Sequence, residues 1–156
     1  MSLPRREGPT QAYLGASASC WALYGDVLAR EYSDPHYMKV HRLTVDAYAA
    51  QHPGKPERRS IQSVWVHLTG LFLVLEKRLA DDKVRRVMSL VTKYPEPLHW
   101  LEPPIRYGCT VGDVVRAHDA ASHAELVRQW AEDVWHGWGP HHSAVRLFAE
   151  NQLARR

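Results

Sequence analysis

From Ser17 onward, apolar residues recur at spacings of three and four, and no stretch alternates as a half-buried strand would. The pattern predicts helices almost throughout. Ser17 or Ser19 can cap a first helix running to about Tyr32, with Cys20, Leu23, Tyr24, Val27 and Leu28 facing inward. Asp34 as N-cap, Pro35 at the first position and Pro53-Gly54 as a stop frame a second helix. Ser60 opens a third, SIQSVWVHLTGLFLVLEKR, which is apolar over a wide arc and is expected to be the most buried element. Asp81 or Asp82 starts a fourth, with Val84, Val87, Met88 and Val91 inward and Arg85-Arg86 on a solvated face. YPEPLHWLEPPIRYG cannot be a regular helix and reads as a crossing loop lying against the bundle. Thr110 with Asp113, then Ser122 with Glu125, give two capping-box starts. Gly137, Gly139 and Pro140 break the chain before a last helix carrying Ala144, Val145 and Phe148.

The expected fold is therefore all-α, a helical bundle of five or six helices with a proline-rich crossing loop. Residues 1–15 form a loose lead-in and 16–154 a single all-α domain. At 156 residues, one domain able to bury its own core is the natural size class.

Polar residues on these inward faces carry the chemistry. Tyr37, His41, Val45, Tyr48 and His52 fall within about 40° of the centre of one face of the second helix. Asp46 lies about 140° from His41, so the two share one small site only if that helix is buried on both sides. Glu31 falls on the inward side of the first helix, near its C-terminal end, where the dipole disfavours a carboxylate; it is expected to be solvated. His67 sits in the apolar arc of the third helix, between Ser63 and Gly70, and must be hydrogen-bonded or metal-bound there. His123 shares a face with Val127, Trp130 and Val134.

Composition sharpens this only in part. The chain holds ten histidines and six tryptophans, and the histidines raise the expectation of a site. The net charge of +3 comes from scattered basic pairs, which gives nucleic-acid binding little support. Two cysteines without metal spacing read as reduced thiols, and no signal peptide or membrane-length apolar run is visible, so a cytoplasmic protein without a membrane role is expected. A homodimer is the default assembly on symmetry grounds alone.

Bundle cores build metal sites from side chains on facing helices. His41, His67 and His141 or His142 are the candidate ligands, with a divalent transition metal, zinc foremost, leaving one position open for water. Tyr48 and Asp46 are the candidate catalytic groups, and the expected activity is hydrolysis or transfer of a small group on an unidentified small molecule. Cys20, Glu31, His52 and His123 have no assigned role. No HExxH, GxSxG, Walker or GxGxxG pattern occurs, and no Glu-x-x-His pair of the di-iron bundles. An alternative is a non-catalytic module that binds a ligand or protein through Trp130, Trp135 and Trp138, and a third reading places a haem on His67.

The runs ASASCWALYGDVLAREYSDPHYMKVHRLTVDAYAAQHPG, SIQSVWVHLTGLFLVLEKRL and VRQWAEDVWHGWGPHHSAV resemble an uncharacterised bacterial family, domain-of-unknown-function family 5946. The resemblance spans about residues 13 to 148 and is densest around His41, Asp46 and His52. It implies a bacterial source and supplies no catalytic roles. The cysteine pair that opens many members, like a small zinc knuckle, has no counterpart in this chain.

Overall fold

The computed structural model describes residues 15–93 and 98–155. The expected lead-in up to Leu14 and the first residues of the crossing loop lie outside them. The described residues form an all-α bundle: α1 (Ala18–Ser33), α2 (Pro35–Met38), α3 (His41–Gln51), α4 (Arg58–Leu75), α5 (Asp81–Lys93), α6 (Val111–Val115), α7 (Ala120–Gly137) and α8 (His142–Ala154). A 3₁₀ turn over Gly139–His141 joins the last two. No helix among the described residues is long and apolar enough to cross a membrane.

Start signals decide most boundaries. The Ser17 hydroxyl accepts from the Cys20 amide, and the Asp34 carboxylate from the His36 amide, just ahead of Pro35. Thr110 and Asp113 close a full capping box at α6. At α7 the box is shifted: Asp119 is the N-cap and Ser122 stands at the third helical position, its hydroxyl reaching back to the cap. Asp is at least as good a cap as Ser, and its position lets the helix begin one residue past it.

The expected second helix is two. After Met38 the chain turns through Lys39 and Val40 before α3 begins, and this changes the helical phase. Tyr37 therefore packs edge-on against His123 of α7, 5.1 Å between ring centres, while Tyr48 stacks on Tyr24 of α1 at 3.8 Å. Tyr37 is thus lost from the predicted face, while His41, Val45, Tyr48 and His52 keep their spacing along α3 and its C-cap.

Helix α3 has the larger share of its residues buried, seven of 11 against nine of 18 in α4. It packs between α4 and α7. Leu43, Thr44, Asp46, Ala47, Tyr48, Ala49 and Ala50 are all buried. The alanines let neighbouring helices approach closely, and Thr44 and Asp46 find partners on two different neighbours, α1 and α4. Its C-terminal carbonyls need donors. Ala50 O receives the Trp138 indole N–H at 3.2 Å and the Tyr107 hydroxyl at 3.3 Å. Trp130 donates to the Gln51 side chain at 3.0 Å, which in turn donates to Cys109 O.

The crossing loop lies on the bundle, with Leu101 buried. Side chains of the helices hold its backbone. Trp65 donates to His99 O at 2.8 Å, His141 Nε2 donates to Glu102 O at 2.9 Å, and Asp133 Oδ2 accepts from the amides of Gly108 and Cys109.

Candidate functional site

Glu31 is the centre of the polar interior. Its side chain is fully buried, against the expectation that it would be solvated. It falls a turn beyond Val27 on the inward stripe of α1, and three donors meet it there. His41 Nδ1–H donates to Oε1 at 2.9 Å. Thr44 and His123 Nε2–H both donate to Oε2, the latter at 2.8 Å. These donors offset the cost of burying a carboxylate.

Hydrogen bonding fixes the tautomers. Arg30 can only donate, so His123 Nδ1 accepts from its guanidinium at 3.4 Å and the ring is neutral, with its proton on Nε2. Arg30 also reaches Val114 O and Val115 O at the end of α6. His41, tied through Nδ1, presents Nε2 on the outer side, where the Tyr32 hydroxyl lies 3.3 Å away. His41 is partly exposed and Tyr32 largely so. A connected chain thus runs from Tyr32 at the surface through His41 and Glu31 to His123 and Arg30 in the interior.

His41 also lines a cleft of about 570 Å³ together with Met38, Lys39, Arg42, Val45, Asp81 and Arg85. Three cations and one carboxylate face it. Arg85 pairs with Asp81 at 3.1 Å; Arg42 Nε lies 3.8 Å from the same carboxylate and has no hydrogen-bond acceptor.

Asp46 points to the other side of α3. Its Oδ1 accepts from His67 Nδ1–H of α4 at 2.8 Å, and the carboxylate is fully buried. Helix α3 is indeed buried on both sides, and the result is two separate carboxylate–imidazole pairs rather than one shared site. Tyr48 is buried against Tyr24, Trp21 and His52, and its hydroxyl has no partner. Burial raises its pKa well above the ordinary phenol range. His52 Nδ1–H donates to Tyr48 O, and burial lowers its pKa.

The remaining candidates have other partners. His141 ties the crossing loop. His142 stacks on Trp135 at 3.8 Å and donates to Trp135 O at 2.7 Å. His41, His67, His141 and His142 are not brought together, and among the described residues no group of three or more His, Cys, Asp or Glu is placed to hold a metal ion. Trp130, Trp135 and Trp138 are all buried, because they pack on α3, α4 and the loop. They offer no exposed surface for the binding-module alternative.

Sequence reasoning missed Arg30, Lys39, Arg42 and Arg85. Nothing in their spacing sets them apart from a solvated face. Glu31 is legible in sequence as part of the stripe of Tyr24, Val27 and Leu28; its partners on α3 and α7 are not.

A family model described as a family of unknown function, DUF5946, matches residues 7–139, and the chain belongs to that family. No curated protein and no solved structure gives a significant match.

Proposed function

We propose that this chain, a DUF5946 member, carries an acid–base site in which His41, oriented by Glu31, acts on a small molecule in the adjoining cleft. The reaction class is hydrolysis or transfer of a small group. The observation that carries the reading is the full burial of Glu31 with both oxygens engaged by His41, Thr44 and His123. Packing alone favours an apolar residue at such a point, since a buried charge is seldom the most stabilising choice.

The chemistry follows from the tautomer. With Nδ1–H on Glu31, Nε2 is the atom that takes a proton from an attacking water or hydroxyl and returns it to the leaving group. The carboxylate stabilises the imidazolium formed in between and keeps the ring from turning. Tyr32 holds the place of the incoming hydroxyl.

The test is a panel of small phosphate esters, carboxylic esters and amides, assayed with the wild type and His41→Asn. A turnover that falls by about a hundredfold or more in the variant supports the reading. Turnover indifferent to His41→Asn, or none on any substrate of the panel, removes it.

A zinc-like ion is a second reading, favoured by one feature: His41 and His67 each have Nδ1 on a carboxylate, the arrangement that orients metal-binding imidazoles. An ion at either ring would take its other ligands from water or substrate. Metal analysis of tag-free protein tests it; less than about a tenth of an equivalent of any transition metal, with no thermal shift on adding zinc, counts against it.

A further inference from the structure

We propose that the cleft beside His41 takes the phosphate group of a small, soluble phosphate monoester. This rests on the acid–base reading above and names its substrate class.

Charge is the first argument. Lys39, Arg42 and Arg85 face the cleft against Asp81 alone, an excess of two positive charges. A phosphate monoester carries about −1.5 to −2 at neutral pH, whereas a carboxylate carries a single charge.

Arg42 is the second. Its Nε is buried and donates to nothing, because Asp81 Oδ1 at 3.8 Å is beyond hydrogen-bond reach. A buried N–H without an acceptor is rare and unfavourable. Asp81 is engaged by Arg85, and the Arg42 side chain, partly exposed, lines the cleft, so its guanidinium is the cation nearest to hand for an incoming oxygen. The guanidinium fork suits a phosphate with two oxygens presented side by side.

Shape is the third. A free anion needs only a fraction of about 570 Å³, a volume in the range of small-molecule pockets. Met38 and Val45 give part of the wall an apolar character that suits the organic part of an ester. The His41 ring lines the same cleft.

Calorimetric titration with inorganic phosphate, phenyl phosphate and acetate is the test. Saturable binding of phosphate is expected, with phenyl phosphate severalfold tighter and acetate at least about tenfold weaker. Arg42→Gln, and Arg42→Lys, which keeps the charge but loses the planar guanidinium fork, should each weaken phosphate binding by about tenfold. Circular dichroism checks that both variants fold. Should either fail to fold, Lys39→Gln and Arg85→Gln at the rim replace it, each expected to weaken binding by about threefold. No saturable phosphate or phenyl phosphate binding below about 10 mM, or affinity unchanged in folded variants, overturns the proposal. Binding to phosphatidylcholine vesicles doped with phosphatidic acid, without binding of phenyl phosphate, overturns it in favour of a lipid headgroup. Arg42-dependent binding without His41-dependent turnover sinks only the acid–base reading. His41-dependent turnover of carboxylic esters without phosphate binding sinks only this one.

Discussion

Asp46 and His67 are joined across the α3–α4 interface by a 2.8 Å hydrogen bond to Oδ1, while Oδ2 of the same carboxylate has no partner. That second oxygen rests against Gly70. A Cβ added at Gly70 would collide with it. The glycine in α4 is thus the space that lets a carboxylate enter the interface, and its role is close approach rather than backbone freedom.

Gly70→Ala should therefore destabilise the fold. Asp46 cannot give way without breaking its bond to His67, so a loss of about 1–3 kcal/mol or more is expected in urea denaturation. Gly25→Ala is the control. A Cβ added there meets nothing within 4 Å, and the position is mid-helix and exposed. That change should stabilise by about 0.5–1 kcal/mol.

Glu31→Gln should be costly although the shapes are similar. Three donors point at the carboxylate, and an amide offers one oxygen and an NH₂, so either a donor faces another or His41 must shift its proton to Nε2, and the charge that all three bonds rest on is gone. A loss of about 3 kcal/mol is expected in the same measurement. Thr44→Val removes one donor and leaves Oε2 with His123, so about 1 kcal/mol is expected. Equal losses in the two variants would mean that Glu31 is not the hub of these bonds.

His52 should make stability depend on pH. Burial holds its folded pKa below the ordinary value of 6.5. The unfolded chain takes up a proton near that value and the folded one does so only at lower pH. The contribution is complete above about pH 6.5 and lost as pH falls through the lowered folded value. Denaturation midpoints measured from pH 8 down to pH 5 should decline, and His52→Phe should flatten part of that decline. A variant whose slope matches the wild type would contradict it.

Cys109 should alkylate slowly in the folded protein. Burial raises its thiol pKa, with Asp133 and Asp113 adding to the shift. The rate with iodoacetamide at pH 8 should rise in urea, followed at this residue by mass spectrometry. Asp133→Asn removes one of these charges and weakens the hold on the Gly108 and Cys109 amides, so it should raise the rate without denaturant.

Helix content and most helix starts were legible because periodicity and capping are local. What the sequence could not yield was phase and convergence. Two residues between Met38 and His41 rotate Tyr37 away from Tyr48, and no composition signal marks that turn. His67 could be placed in a buried arc with an unnamed partner; that the partner is Asp46 depends on how α3 and α4 meet. His141 and His142 drew notice as a pair, yet their bonds go to main-chain carbonyls, a use that spacing does not reveal. The cations of the cleft looked like any solvated face, because their grouping arises only where α2, α3 and α5 come together.

The bonds that helix side chains make to the crossing loop and the residue after it reach main chain, at His99, Glu102, Gly108 and Cys109. Such ties are indifferent to which amino acid supplies the peptide group. Substitution should thus be tolerated along much of this stretch during divergence, while Trp65, Asp133 and His141 resist it. Leu101, which is buried, Tyr107, whose hydroxyl donates to Ala50 O, and Gly108, where an added Cβ would come within 2.9 Å of Asp133, are the exceptions. Related chains would then show a drifting segment framed by three fixed residues far away in sequence.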